Sequence, residues 1–388
     1  MILQERNFIT LLDASIQPGK TPILEDPSYP DIFRLAELHC VTGLLYPALK
    51  QCLPLGDPFL SKMKRQSFAA ATRESVQGKE LSQIFAACEE AELPILPLKG
   101  CVIKSLYPYP ELRFMSDADL VIPENRREKM RSLMEGLGFR FHKVDAGDTD
   151  VYVSPLHLNY EIHLSLADEG FSQKTQEFVG HITDYAHPKE GFRFVMELPR
   201  EEHYLYILCH FIKHFIYGGV GVRQLTDLFI CYKEWELDRE KLDTLLRKFD
   251  LVQFHDRIQG LWDFWFTNAS PDAVTEELSA YILHSGVFGT EEQRSTDRLL
   301  SVGQEKSYVL TRLFPPYKVM KGYFPVLKKL PFLLPFLWVW RAIRAILFRR
   351  DKLRTEFKVM SATENDALER RRRFYHQCGL SVYRELSE

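Results

Sequence analysis

Between residues 113 and 122 the chain reads Arg-Phe-Met-Ser-Asp-Ala-Asp-Leu-Val-Ile, two acids one residue apart running straight into an apolar triplet. In a strand, whose side chains alternate, Asp117 and Asp119 project from one face. Two carboxylates so placed repel. The repulsion is relieved by raising the pKa of one or by binding a cation, and oxygen ligands at this spacing suit Mg²⁺ or Mn²⁺. A second alternating stretch, residues 157–166, puts Asn159, Glu161, His163 and Ser165 on one face and Tyr160, Ile162, Leu164 and Leu166 on the other. Glu161 is positioned to supply a third carboxylate from a neighbouring strand, with His163 orienting it or shuttling a proton. Three acids on adjacent strands make a site for metal-assisted phosphoryl chemistry.

Upstream, the apolar run 93–98 reads as a strand, Lys99-Gly100 as a turn and residues 102–107 as a short helix. The order Leu98-Lys99-Gly100, short helix, Arg113-Phe114-Met115-Ser116-Asp117-Ala118-Asp119-Leu120 and then Glu161-Ile162-His163 resembles the uncharacterised nucleotidyltransferase family. That family lies within the DNA polymerase beta-like nucleotidyltransferase superfamily, which pairs a glycine-containing turn with an Asp-x-Asp strand and a later third carboxylate. The resemblance covers roughly residues 90–350, since residues 223–228 and the late run 313–341 also look like the family's pattern. It implies an enzyme that binds a nucleoside triphosphate, ATP being the expected donor, with Mg²⁺ (or Mn²⁺) held by Asp117, Asp119 and Glu161. Glu161 would help deprotonate an acceptor hydroxyl, whose attack on the α-phosphorus transfers a nucleoside monophosphate and releases pyrophosphate. Where the wider superfamily usually has Gly-Ser or Gly-Gly, this turn reads Lys99-Gly100-Cys101, so Lys99 or backbone N–H groups must meet the phosphates. A catalytically weakened nucleotide-binding or regulatory module is the alternative. The acceptor stays open among small molecules, sugars, peptides and proteins.

Further nucleotide contacts are expected from Gly100, which lets a ligand approach the backbone, and from Arg113, whose guanidinium reaches a phosphate or pairs with a nearby acid. Ser116 would bond a phosphate or Asp119. His203, His210, Lys213 and His214 recur at helical spacing, and His163, Lys213, Arg223 and Asp227 complete the expected cleft lining. The three late histidines lack a fourth ligand at metal spacing. Arg223 and Asp227, four apart on one helix, pair with each other or with the nucleotide. Gly218-Gly219-Val220-Gly221 follows no strand and reads as a break between helices, not a dinucleotide fingerprint.

The expected fold is α/β (α+β), a small mixed nucleotidyltransferase sheet flanked by large helical N- and C-terminal regions. Residues 1–90 form a helical subdomain, with helical spacing over 31–48 and 59–91; 91–200 the catalytic domain; 201–310 a helical domain; and 311–388 apolar and basic helices. The acidic loop 145–150 lacks calcium-loop spacing and reads as a hairpin turn. A net charge of −3, with no basic stripe interleaved with aromatics beside the acidic cluster, makes a nucleic-acid partner an unfavoured expectation. Seven scattered cysteines without a C-x-x-C pair argue against a disulfide framework or zinc site and for a reducing compartment. The start lacks signal-peptide segments, so a cytoplasmic location is expected. The apolar run 330–340 is too short to span a bilayer and is followed by Arg341, Arg344, Arg349, Arg350, Lys352 and Arg354. It packs against the catalytic domain or makes a peripheral membrane contact through 313–350. The arginines 370–373 read as a solvated helix face.

Overall fold

Periodic apolar residues build the N-terminal helices. In the computed structural model, which describes residues 1–145, 148–167, 172–287, parts of 289–348, and 365–380, α1 (Leu3–Ile16), α2 (Tyr29–Leu38) and α3 (Thr42–Cys52) bury Phe8, Leu11, Leu12, Ile32 and Leu45 among them. The helical spacing over 31–48 is interrupted, because Cys40 takes a φ of +54° and the buried His39 ring faces two distant partners. Its Nδ1 accepts from the Val222 N–H and its Nε2 meets the Leu283 carbonyl, each at 3.1 Å. Those partners, unreadable from spacing, set the boundary.

Asp57 accepts from the N–H groups of Phe59 and Leu60, and Pro58 at the first helical position needs no hydrogen bond, so α4 (Pro58–Glu90) starts sharply. Its 33 residues extend about 50 Å, and Gly78 does not interrupt them. Then follow β1 (Leu96–Pro97), α5 (Gly100–Ile103) and β2 (Asp117–Val121). The apolar run 93–98 pairs with β2 only at Leu96 and Pro97, while Ile95 instead bridges to Val195, its N–H donating to the Phe194 carbonyl. The short helix expected over 102–107 is one α-turn followed by a 3₁₀ turn, Lys104–Leu106.

After α6 (Arg127–Gly136), β3 (Arg140–Asp145), β4 (Thr149–Val153) and β5 (Asn159–His163) complete the sheet in the order β1-β2-β5-β4-β3. Within it β2 and β5 run parallel and the other pairs antiparallel. Ala146 and Gly147 of the expected hairpin turn lie outside the described residues. The segments α7 (Gln173–Gly180) and the β6 (His187–Pro188)–β7 (Met196–Glu197) hairpin carry no periodicity long enough to be read from sequence. The Glu89 carboxylate anchors the strand leading into β7, accepting backbone N–H groups of Arg193, Phe194 and Val195.

The C-terminal half is helical: α8 (Arg200–Ile216), α9 (Val222–Glu234), α10 (Arg239–Lys248), α11 (Val252–Phe266), α12 (Ala273–Ser285), α13 (Leu334–Phe348) and α14 (Asn365–Gln377). Gly218 and Gly219, at φ +142° and +108°, turn the chain between α8 and α9. One apolar core joins α1–α3 to α8–α12; a second lies between the sheet, α6 and the end of α4. On α14, Phe374 and Tyr375 insert beside Phe215. The solvated arginine face needs correction in one member: Arg371 lies over the Tyr281 ring at 4.5 Å. Arg349, Arg350, Lys352 and Arg354 lie outside the described residues.

Candidate active site

The parallel register of β2 and β5 sets Asp117 opposite Asn159, Asp119 opposite Glu161 and Val121 opposite His163. Because parity is preserved across the pair, all the odd-numbered polar residues face the same way, while Ala118, Leu120, Tyr160 and Ile162 fill the core beneath. Asp119 is the hub. Its Oδ1 accepts from Lys99 Nζ at 2.7 Å and from His163 Nε2 at 3.0 Å. His163 Nδ1 lies 3.1 Å from the Thr149 hydroxyl, which fixes the ring: Thr149 donates to Nδ1 when Nε2 carries the proton toward Asp119. Burial pushes the Asp119 pKa up, but Lys99 and His163 outweigh it and hold the carboxyl well below the usual range. Glu161 moves the other way, raised by burial and then by the charges of Asp119 and Asp117. Two carboxylates on paired strands therefore differ in affinity for a proton.

Lys99 reaches Asp119 from an uncommon backbone conformation, φ +48° and ψ −123°. Such conformations are sparsely populated by residues with a side chain and cost about 1–3 kcal/mol, so the surrounding fold must hold it. Gly100 has a separate reason to be glycine: a Cβ there would stand 2.4 Å from Arg113 Nη1 and 2.7 Å from Met115 Sδ. The glycine makes room for neighbouring side chains.

Arg113 takes the second of its two expected roles, pairing with an acid, and that acid is Asp227. Arg113 Nε and Nη2 donate to the two Asp227 oxygens at 3.0 and 2.5 Å, and the Tyr107 hydroxyl donates to Oδ1 at 2.7 Å. Arg113 is 7% exposed and Asp227 5%, so the pair closes on itself in the core and does not face a ligand. Asp227, expected to pair with Arg223 or with the nucleotide, takes Arg113 as its hydrogen-bonded partner. Arg223 instead donates from Nη1 to the Phe114 carbonyl at 3.0 Å. Ser116 does not bond Asp119; its hydroxyl donates to Asp117 Oδ1 at 2.6 Å.

One wall of the site comes from α8. Burial and then the Lys99 charge raise and lower, respectively, the proton affinity of the Tyr206 phenol, with a net increase, and Asp119 and Glu161 act on the same group. His210 and His214 contact each other through their Nε2 atoms at 3.2 Å. Burial, with Lys99 and Lys213 nearby, lowers both, His214 to about 4, so both rings are neutral at pH 7. His203 does not join them: it is buried against Trp235. The residues that sequence reasoning missed are Thr149, Tyr206, and Arg73 and Gln77 of α4. Arg73 donates to the Met115 and Ser116 carbonyls and Gln77 to that of Met115. The four-residue spacing of Arg73 and Gln77 was the one local signal that α4 turns a polar face toward the acidic strand.

Ligand atoms of Asp119, Glu161 and His163 all lie within 4.8 Å of one another. Two carboxylates and, once Nε2 has given up its proton, an imidazole form a donor set that suits Mn²⁺ better than Mg²⁺, which prefers oxygen ligands throughout. Asp117 lies outside this three-ligand group, its charge acting on Glu161 and Lys99 from the side.

A family model described as uncharacterised nucleotidyltransferase matches residues 26–266. The chain belongs to the uncharacterised nucleotidyltransferase family. Membership in this nucleotidyltransferase family supports a nucleotidyl-transfer activity, and with it a nucleoside triphosphate substrate. The match begins earlier than the motifs suggest, taking in α2–α4, and stops before the late apolar run. Among solved structures, the antibiotic-resistance factor ANT(2'')-Ia is similar over 48% of this chain and 95% of its own, at 17% identity and a TM-score of 0.33. No curated protein matches the nucleotidyltransferase chain.

Proposed function

We propose that this nucleotidyltransferase transfers a nucleoside monophosphate from a nucleoside triphosphate, with ATP as donor, to a hydroxyl of its acceptor, releasing pyrophosphate. The observation that carries this reading is the β2–β5 register, which opposes Asp119 and Glu161 while Lys99 and His163 converge on Asp119. Asp119, Glu161 and His163, with Asp117 beside them, would hold Mg²⁺ or Mn²⁺. A bound divalent ion would supply charge neutralisation at the phosphates. Lys99 turns its ammonium to the triphosphate in place of the hydroxyl or glycine N–H found elsewhere in the superfamily. Glu161, the carboxylate with the raised proton affinity, takes the proton of the acceptor hydroxyl, and Thr149 keeps the His163 ring aligned beside it. Lys213 and Arg223 line the approach, and Arg113 and Asp227 support the site from behind. The seven free thiols accord with work in a reducing, cytoplasmic setting.

The test is pyrophosphate release with each of the four nucleoside triphosphates, in the presence of Mg²⁺ or Mn²⁺ and a lysate of the source cells as acceptor pool. Asp119→Asn and Asp117→Asn are each expected to lower turnover by roughly 10³-fold or more, with folded circular-dichroism spectra. Undiminished turnover in either variant refutes its role. One observation favours a second reading: the Lys99 ammonium already neutralises Asp119. A nucleotide-binding module without turnover would bind ATP in calorimetry and release no pyrophosphate with any acceptor.

A further inference from the structure

The 15-residue α13 contains no acid, and Trp338 pins one side of it to its own chain. The Trp338 Nε1 donates to the Pro315 carbonyl at 2.9 Å, and its ring meets Phe314 edge-on at 5.4 Å. The other side carries Phe336, Val339, Trp340 and Ile343, which fall within about a third of the helix circumference at 100° per residue, with Phe332 just ahead of them. Their exposures are 71%, 58%, 58% and 47%, and that of Phe332 is 68%. Scattered exposed apolar residues need no explanation, but five large ones aligned in twelve residues make a face.

Charge identifies what such a face meets. Residues 313–354 hold ten lysines and arginines against the single acid Asp351, whereas the rest of the chain holds 40 basic against 52 acidic residues. A net excess of nine positive charges thus lies in the same segment as the exposed aromatic face, a combination complementary to a negatively charged bilayer surface. Among the described residues no helix is long and apolar enough to cross a membrane, and α13 at about 22 Å is shorter than a hydrocarbon core of about 30 Å. We propose that the Phe332–Ile343 face of α13 lies in the headgroup layer of an anionic lipid membrane, holding this protein at that surface.

Full-length protein is mixed at low salt with vesicles of phosphatidylcholine containing about a third phosphatidylserine, and with phosphatidylcholine alone. Co-sedimentation with the anionic vesicles about tenfold or more above the neutral ones, reversed by high salt, is expected. The double substitution Phe336→Asp/Trp340→Asp should lower that binding about tenfold with no change in thermal midpoint, since both side chains are exposed. On the unsubstituted protein, brominated acyl chains should quench tryptophan emission, and Trp340→Phe should remove most of the quench. Absence of binding to anionic vesicles, or equal binding by the double variant, overturns the proposal. So does a dimer in solution that the same substitutions dissociate, for then a second copy covers the face.

Discussion

Lys99 and Gly100 share one turn, and each has its own demand. Lys99 holds a positive φ to bring its ammonium to Asp119; Gly100 leaves the space into which Arg113 and Met115 pack. Gly100→Ala is therefore expected to destabilise by about 1–3 kcal/mol, read as a lowered urea midpoint at unchanged slope. Gly78→Ala is the control. A Cβ there meets only Glu74 Oε1 at 3.5 Å in a helix interior, so it should stabilise by roughly 0.5–1 kcal/mol. The acids of the site were legible because strand alternation is a local rule: Asp117, Asp119, Glu161 and His163 needed only parity and the assumption that two strands adjoin. The partners of Arg113 and Ser116 were not legible. Asp227 lies 114 residues from Arg113, and a guanidinium beside several acids carries no mark of which one it will choose.

At the scale of elements, the Arg113–Asp227 pair ties the lead-in of β2 to the middle of α9, with Tyr107 as a third member. Breaking a buried pair leaves one charge without compensation. Arg113→Met should cost about 3–5 kcal/mol, and the double substitution Arg113→Met/Asp227→Leu should recover part of that loss, as measured by chemical denaturation. A double variant no more stable than Arg113→Met would count against a pairwise latch. The elements themselves were legible in proportion to their length. Periodicity marked α4 and the C-terminal helices, whereas the break at Cys40 and the two-residue strands β6 and β7 depend on contacts from afar.

For the whole molecule, several histidines are folded in their neutral form. Burial takes His39, His203 and His255 each to about 4, against an unfolded value near 6.5. In that window the unfolded chain binds more protons, so their stabilising contribution is complete above pH 6.5 and declines as pH falls toward 4. Each represents on the order of 3 kcal/mol at the acid end. The thermal midpoint should accordingly be lower at pH 5 than at pH 7, and His39→Gln should shallow that decline while lowering stability at pH 7, where the links to Val222 and Leu283 are weakened. A midpoint independent of pH across this interval would contradict the neutral-histidine arrangement. One feature of the architecture reaches further. The helix α4 grips the 3₁₀ turn that follows Lys99, Gly100 and α5 through Glu74 and Lys104, the entry to β2 through Arg73 and Gln77, and β5 through Glu80 and the Tyr160 hydroxyl. Lysine, first acid and second acid thus share a single datum line. Should the sheet swing against the remaining helices, α4 would carry all three in concert, and the spacing among them would travel with it unchanged.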